Sequence, residues 1–129
     1  MARYAVLICL LALLVGCGGD DKKDAEQTVR DFVTALQKRD ADTFCDDLVT
    51  EDFLGQFSGA TGDKAKESCK RELNSLTGLG EVRLVKIEGV KVDGDDASVT
   101  AVLERQGQRQ RQVYRLKKED GDWKLSGAG

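Results

Sequence analysis

The sequence predicts an α+β domain in which N-terminal helices pack on a twisted four-stranded antiparallel sheet. Apolar residues recur every three or four positions up to about residue 76, and every second position beyond Gly80. Pairs such as Asp120-Gly121, typical of tight hairpin turns, separate the segments of the second kind. Helices that precede the strands, rather than alternating with them, favour separate helical and sheet layers. A chain of 129 residues is expected to form one domain.

The N-terminus carries a targeting signal. An apolar run from Ala5 to Val15 follows Arg3. A helix that crosses a bilayer needs about 20 apolar residues, so this run is too short to span a membrane, but it suits the core of a signal peptide. The run ends in Leu14-Val15-Gly16-Cys17, which resembles the lipobox of bacterial lipoproteins.

The lipobox resemblance implies a division of the chain. Residues 1–16 would be a signal peptide cleaved before Cys17, residues 17–24 a lipidated cysteine with a flexible tether, and residues 25–129 the folded domain. In that family the cysteine thiol carries diacylglycerol through a thioether, and the new amino terminus can be acylated too. Two or more acyl chains anchor a protein stably, so the expected location is the extracytoplasmic face of the cell membrane. An ordinary cleaved signal peptide with a chance cysteine is the alternative.

Cysteine usage fits an oxidising compartment. Of the four cysteines, Cys9 falls in the signal peptide and Cys17 would carry lipid, which leaves Cys45 and Cys69. Such a pair is most simply a disulfide, which would stabilise the fold by about 3.5 kcal/mol in the chain-entropy model. Two buried free thiols are the alternative. Because the chain contains no His, neither a metal site nor a catalytic His is expected, and no cofactor is predicted.

Two helices are predicted first. One begins at Asp24, where Gln27 resembles the second residue of a capping box, and a short second helix is capped by Asp40. The apolar stripe of the first helix contains Ala25, Val29, Phe32, Val33 and Leu36, and that of the second contains Ala41, Phe44, Cys45 and Leu48.

A third helix follows a less regular stretch. Residues 50–61 are interpreted as a partly helical turn, and the next helix begins at Asp63 and ends at Gly78 and Gly80. Its apolar stripe contains Ala65, Cys69, Leu73 and Leu76.

Four strands complete the predicted fold. The alternation of the first strand changes face near Gly89, which predicts a bulge there. Trp123 and Leu125 face inward on the closing strand. The other three strands are predicted over residues 81–92, 97–105 and 109–118.

The order of these elements carries a family resemblance. The long first helix ends in Lys-Arg-Asp-Ala-Asp, the short second helix contains Phe44, and the last strand reads Asp-Gly-Asp-Trp-Lys-Leu. Over about residues 25–127 this order resembles the nuclear transport factor 2-like superfamily, with its cystatin-like cone, and is closest to small actinobacterial-type envelope lipoproteins. The superfamily contains enzymes, ligand binders and interaction modules, so the fold alone does not assign a function.

The predicted function is that of a non-enzymatic, membrane-anchored module that binds a small apolar ligand or an envelope protein. The net charge of −3 argues against a nucleic-acid partner. Aromatic side chains are the candidate lining of a ligand cavity, and a filled core is the alternative. The candidate lining residues are Phe32, Phe53, Phe57, Tyr114 and Trp123.

Two other functions remain open at this stage. An isomerase- or cyclase-like enzyme would need Tyr114 in one cavity with a carboxylate, for which Asp31 and Asp47 are the candidates. An interaction module, or a homodimer through the sheet face, would need an exposed apolar patch, expected around Val102 and Val113.

Charged residues of the sheet have two interpretations each. The acidic turn that begins at Asp93 could suggest calcium, but hairpin turns select Asp and Gly without any metal. A basic hairpin could touch anionic head groups or wall polymers, and a solvated face balanced by Glu104 and Glu119 is the favoured alternative. Its arginines are Arg105, Arg109, Arg111 and Arg115.

Overall fold

A helical layer lies against a four-stranded antiparallel sheet in the order β1-β2-β3-β4, which confirms the predicted fold class. The computed structural model describes residues 17–76 and 81–129, so the predicted signal peptide lies outside the described part. The helical elements are α1 (Cys17–Lys38), α2 (Ala41–Thr43), a π-helical segment (Phe44–Leu48), α3 (Glu51–Ser58) and α4 (Gly62–Ser75). The strands are β1 (Arg83–Asp93), β2 (Asp96–Arg105), β3 (Gln108–Glu119) and β4 (Asp122–Ala128).

The core lies between α1 and the sheet. Ala25, Val29 and Val33 follow one another at four-residue spacing on α1 and are at most 1% exposed. On the sheet side of the core, Val99 and Leu116 are also at most 1% exposed. Removing these apolar side chains from water supplies the main force that holds α1 on the sheet.

The helix α1 begins at Cys17, seven residues before the predicted start at Asp24. The predicted flexible tether over residues 17–24 is therefore helical in the structure. A tertiary contact accompanies this helical turn, since the Lys118 Nζ donates to Asp21 Oδ1 at 2.9 Å and joins it to the sheet. The predicted capping box is also wrong, because Gln27 lies inside the helix and donates to Asp31 instead.

The second helix begins where the sequence predicted. The Asp40 carboxylate accepts hydrogen bonds from the Thr43 N–H at 3.2 Å and the Thr43 hydroxyl at 2.7 Å. These bonds hold the pKa of Asp40 below its usual value. Of the predicted face, Ala41, Cys45 and Leu48 are buried and Phe44 is half-buried.

The helix α4 carries most of its predicted stripe. Ala65 and Leu73 are buried and Cys69 is half-buried, but Leu76 is 50% exposed. Leu76 departs from the stripe because it lies just past the end of α4 in extended backbone, at φ −72° and ψ 141°. The predicted helix end at residues 78 and 80 lies outside the described residues.

The first strand contains two bulges rather than one. Ile87 pairs with Ala101 and Gly89 with Thr100, so the extra residue is Glu88, next to the predicted Gly89. A second shift, between Leu84 and Lys86, was not predicted. Each bulge increases the local twist, which lets the sheet wrap around α1.

Two hairpins turn through left-handed backbone. Gln106 and Gly107 have φ of 53° and 77°, and Asp120 and Gly121 have φ of 52° and 86°. Two consecutive positive φ values define the type I′ turn, in which glycine at the second position avoids steric strain. Both turns lie where the sequence predicted them.

Candidate functional site

A disulfide joins the π-helical segment to α4. Cys45 and Cys69 are bonded with Cα atoms 6.0 Å apart, in agreement with the predicted pair. Lys70, the next residue of α4, contacts Asp46 at 3.1 Å and Asp42 at 3.2 Å. Hydrogen bonds to these two carboxylates raise the pKa of Lys70. One covalent bond and one shared cation thus fix α4 on the preceding helices.

An apolar groove lies beside this junction, and we call it the α4 groove. Its volume is about 180 Å³, and apolar atoms form almost the whole of its wall. Leu76 stands at its rim, half exposed, while Leu54 and Leu73 lie buried at its base. The groove is lined by Leu36, Phe44, Phe53, Leu54, Cys69, Glu72, Leu73 and Leu76.

Only part of the predicted aromatic lining reaches this groove. Phe53 lines it, whereas Phe32 and Tyr114 lie in the core with ring centres 5.4 Å apart. Phe32 also packs on Phe44, at 5.1 Å between ring centres. Burial raises the pKa of Tyr114 to about 12. The side chain of Phe57 lies outside the described residues.

Trp123 packs under α1. It is 4% exposed, and the Thr28 hydroxyl donates to its carbonyl oxygen at 3.2 Å. The Lys118 Nζ lies 5.5 Å from the centre of the Trp123 ring, within the range of a cation–π contact. Trp123 therefore joins the first turns of α1 to the sheet, and it borders a polar cleft rather than the α4 groove.

The polar cleft, of about 440 Å³, bears on the enzyme alternative. Asp31 and Asp47 both line it, together with Trp123 and Lys124, but Tyr114 does not. The structure thus places the two candidate carboxylates at one site and Tyr114 in the core. That is not the arrangement which the isomerase- or cyclase-like alternative requires.

The outer face of the sheet is charged rather than apolar. Val102 is 9% exposed and Val113 is half-buried, so the expected exposed apolar patch is absent at these two residues. Val102 lies opposite Arg111 in the strand register, where a long side chain can cover it. Arg111 itself binds the Glu88 carboxylate at 2.7 Å.

Sequence reasoning missed most of the α4 groove. It assigned Leu36, Phe44, Cys69 and Leu73 to buried helix faces, but only Leu73 is buried and the other three are half-buried, because these faces leave a gap between them. No signal in the sequence marked the gap, because Leu76 fitted the predicted apolar stripe and its exposure follows from the helix ending at Ser75. Within residues 17–76 and 81–129 the side chains form no cluster of three or more metal ligands, and no helix is both long and apolar enough to span a bilayer.

No protein-family model matches the chain, and no curated protein matches it. Solved structures do. A nuclear transport factor 2-like protein of unknown function from Shewanella oneidensis MR-1 is 17% identical, with a TM-score of 0.56 over 84% of this chain and 96% of that chain. A de novo designed protein with a curved β-sheet is also 17% identical, with a TM-score of 0.53 over 81% and 95%.

A candidate ketosteroid isomerase from Kribbella flavida DSM 17836 is 23% identical, with a TM-score of 0.51 over 82% of this chain and 77% of that chain. At these identities the likeness concerns the fold and not the activity. The chain has the nuclear transport factor 2-like fold, as the order of its elements predicted.

Proposed function

We propose that this protein is a lipid-anchored, extracytoplasmic module that binds a small apolar group, with the anchor on Cys17 and the binding site in the α4 groove. The observation that carries the proposal is the groove itself, whose wall is almost wholly apolar and whose rim is open at Leu76. Apolar surface left in contact with water favours an apolar occupant.

The size of the groove limits the ligand. A cavity of roughly 150 Å³ lined by apolar side chains takes one benzene molecule. The α4 groove, at about 180 Å³, thus fits a single aromatic ring or the end of a short acyl chain. A larger ligand would have to extend past Leu76 into solvent.

The disulfide supports the proposal in two ways. It braces the groove directly, because Cys69 is part of the wall. It also suits an oxidising compartment, as expected for a chain exported behind a signal peptide. Both cysteines of the predicted domain are used in this bond.

The start of α1 supports an anchor close to the domain. Asp21, whose carboxylate binds Lys118 of the sheet, lies only four positions after Cys17. Four helical residues span about 6 Å, so a lipid on Cys17 would hold the domain next to the head groups.

The groove is tested with benzene and hexanol as probes, titrated into the full chain in neutral detergent and followed by amide chemical shifts. Saturable shifts confined to α4 and the π-helical segment are expected. Leu76→Asp should weaken binding on the order of tenfold, because it places a carboxylate at the apolar rim. Ala128→Asp, which adds the same charge at an exposed site on β4, should leave it unchanged. Titrations without saturable shifts at the groove would overturn its assignment.

The anchor is tested by fractionation. Cys17→Ala should move the protein from the membrane pellet to the soluble fraction and abolish incorporation of a labelled fatty acid, whereas Cys9→Ala should change neither. A Cys17→Ala protein that stays in the membrane and still incorporates label would refute the anchor. The two assays fail independently, so the binding site and the anchor are judged separately.

A further inference from the structure

The two ends of the sheet are identified by their contacts with α1. At one end the first turns of α1 meet the last residues of β3, where Lys118 binds Asp21 at 2.9 Å. At the other end the Gln37 side chain donates to the carbonyl of Val82, just before β1, at 2.6 Å. Sixteen helical residues separate Asp21 from Gln37, which corresponds to about 24 Å.

The end near Cys17, here the anchor end, is acidic. It consists of the first turns of α1 and the turns that join β1 to β2 and β3 to β4. Lys118 lies at its centre, where hydrogen bonding to Asp21 and the charges of Asp95 and Asp24 raise its pKa. Nine acidic residues belong to it, more than the six lysines beside them: Asp20, Asp21, Asp24, Asp93, Asp95, Asp96, Glu119, Asp120 and Asp122.

The opposite end, here the arginine end, has a surplus of positive charge. Glu104 binds Arg83 at 2.9 Å and Arg109 at 3.3 Å, so one carboxylate serves two cations. The side chains of both arginines remain 63% exposed. The basic residues of this end are Lys38, Arg39, Arg83, Arg105, Arg109 and Arg111.

A second shared carboxylate repeats the pattern. Glu88 binds Arg111 through two hydrogen bonds, at 2.7 and 3.3 Å, and Lys86 lies 3.7 Å away. These cations hold the pKa of Glu88 below its usual value. The ion pairs thus neutralise only half of the positive charge around each carboxylate. On a chain whose net charge is −3, such a surplus at one end is not a consequence of composition.

We propose that the arginine end binds a linear polymer that carries repeated phosphate groups. Arg109 and Arg111 stand two residues apart on the same face of β3, which spaces them by about 7 Å along the strand. Guanidinium groups bind phosphate through paired hydrogen bonds, and exposed arginines at regular spacing suit an anion that repeats along a chain.

The position of this surface favours a polymer over a bilayer. This step rests on the proposed anchor at Cys17. If the anchor end faces the membrane, the arginine end points away from it. Its distance from the membrane is then at least the length of α1 between Asp21 and Gln37.

The test is binding of labelled inorganic polyphosphate to the full chain in neutral detergent, at low ionic strength of about 50 mM. Arg109→Gln/Arg111→Gln should weaken binding on the order of tenfold, because it removes two phosphate contacts. The matched variant Lys22→Gln/Lys23→Gln removes the same charge at the anchor end and should change affinity less than about twofold. Glu104→Gln, which frees Arg83 and Arg109, should tighten binding.

Three outcomes would overturn the proposal: no saturable binding of polyphosphate, an equal loss in both double variants, or binding to phosphatidylglycerol vesicles without binding to polyphosphate. Failure of the anchor would look different. A chain that fractionates as soluble but binds polyphosphate through its arginines would refute the lipid on Cys17 and retain the binding surface.

Discussion

The α1–sheet half and the α4 half of this domain are held together by different means. The first buries a continuous apolar core in which Val29, Val99, Leu116 and Leu125 are all at most 1% exposed. In the second, α4 buries only Ala65 and Leu73 below 9% of their surface, of which Ala65 joins the same core, and a disulfide and Lys70 add to this attachment. The comparison shows where the domain can leave a gap without losing its fold.

The disulfide allows the α4 groove to stay open. If the α4 groove were closed by side chains from α1 and α3, apolar packing alone would hold α4 in place. The covalent bond through Cys69 replaces part of that packing, so the groove can stay partly unfilled beside a well-packed core. The half that contains the proposed binding groove is thus expected to be the half that opens more easily.

The largest difference between the halves should come from one substitution made in each. Leu125→Ala removes a side chain that is 1% exposed and should lower the free energy of unfolding by about 4 kcal/mol. Leu76→Ala, at 50% exposure, should cost less than about 1 kcal/mol. Urea denaturation of both variants measures the contrast. Equal losses would mean that the α4 half is packed as tightly as the core.

Removal of the disulfide should act locally. Cys45→Ala/Cys69→Ala opens a link between residues 24 apart in sequence and should cost about 3.5 kcal/mol. Native-state hydrogen exchange should show the loss mainly at amides of α4, with smaller changes in β2 and β3. The reduced natural chain is the control and should behave alike. A uniform loss of protection throughout the domain would show that the halves unfold as one unit.

The sequence was sufficient for elements whose signals are local. Period-two alternation and Gly-containing turns located the strands, and the Asp40 cap is a local hydrogen bond that the residue types specify. The pairing of Cys45 with Cys69 was also predictable, because the other two cysteines had separate explanations.

The sequence was insufficient for features that involve contacts between residues far apart in the chain. The start of α1 at Cys17 depends on Lys118, which lies 97 residues away from Asp21, and Gly-Gly-Asp-Asp has no intrinsic preference for helix. The α4 groove is likewise a gap between four elements, and the apolar stripe of any one helix does not predict such a gap. The sequence therefore predicted which residues are apolar but not which of them leave space.

The smallest expected effect concerns the first turns of α1, where the proposed anchor would join the α1–sheet half. The Lys118 hydrogen bond lowers the pKa of Asp21 from its usual 3.8, and Asp21 raises the pKa of Lys118 from its usual 10.5. A carboxyl whose pKa is lowered in the folded chain stabilises the fold at pH values above its pKa in the unfolded chain. An amine whose pKa is raised stabilises the fold at pH values below its pKa in the unfolded chain. The pair therefore stabilises α1 between about pH 4 and pH 10, and this contribution is lost as pH falls through the pKa of folded Asp21.

Asp21→Asn should remove that contribution and allow the first turns of α1 to fray, while the rest of the α1–sheet half remains folded. Amide exchange at residues 18–23 should be faster in the variant near neutral pH, and the difference should shrink as pH falls through the lowered pKa of folded Asp21. Asp20→Asn, one residue earlier and exposed, is the matched control and should not alter exchange. If both variants exchange like the natural chain at neutral pH, Lys118 does not hold the start of α1. The predicted flexible tether would then describe these residues better than a helix.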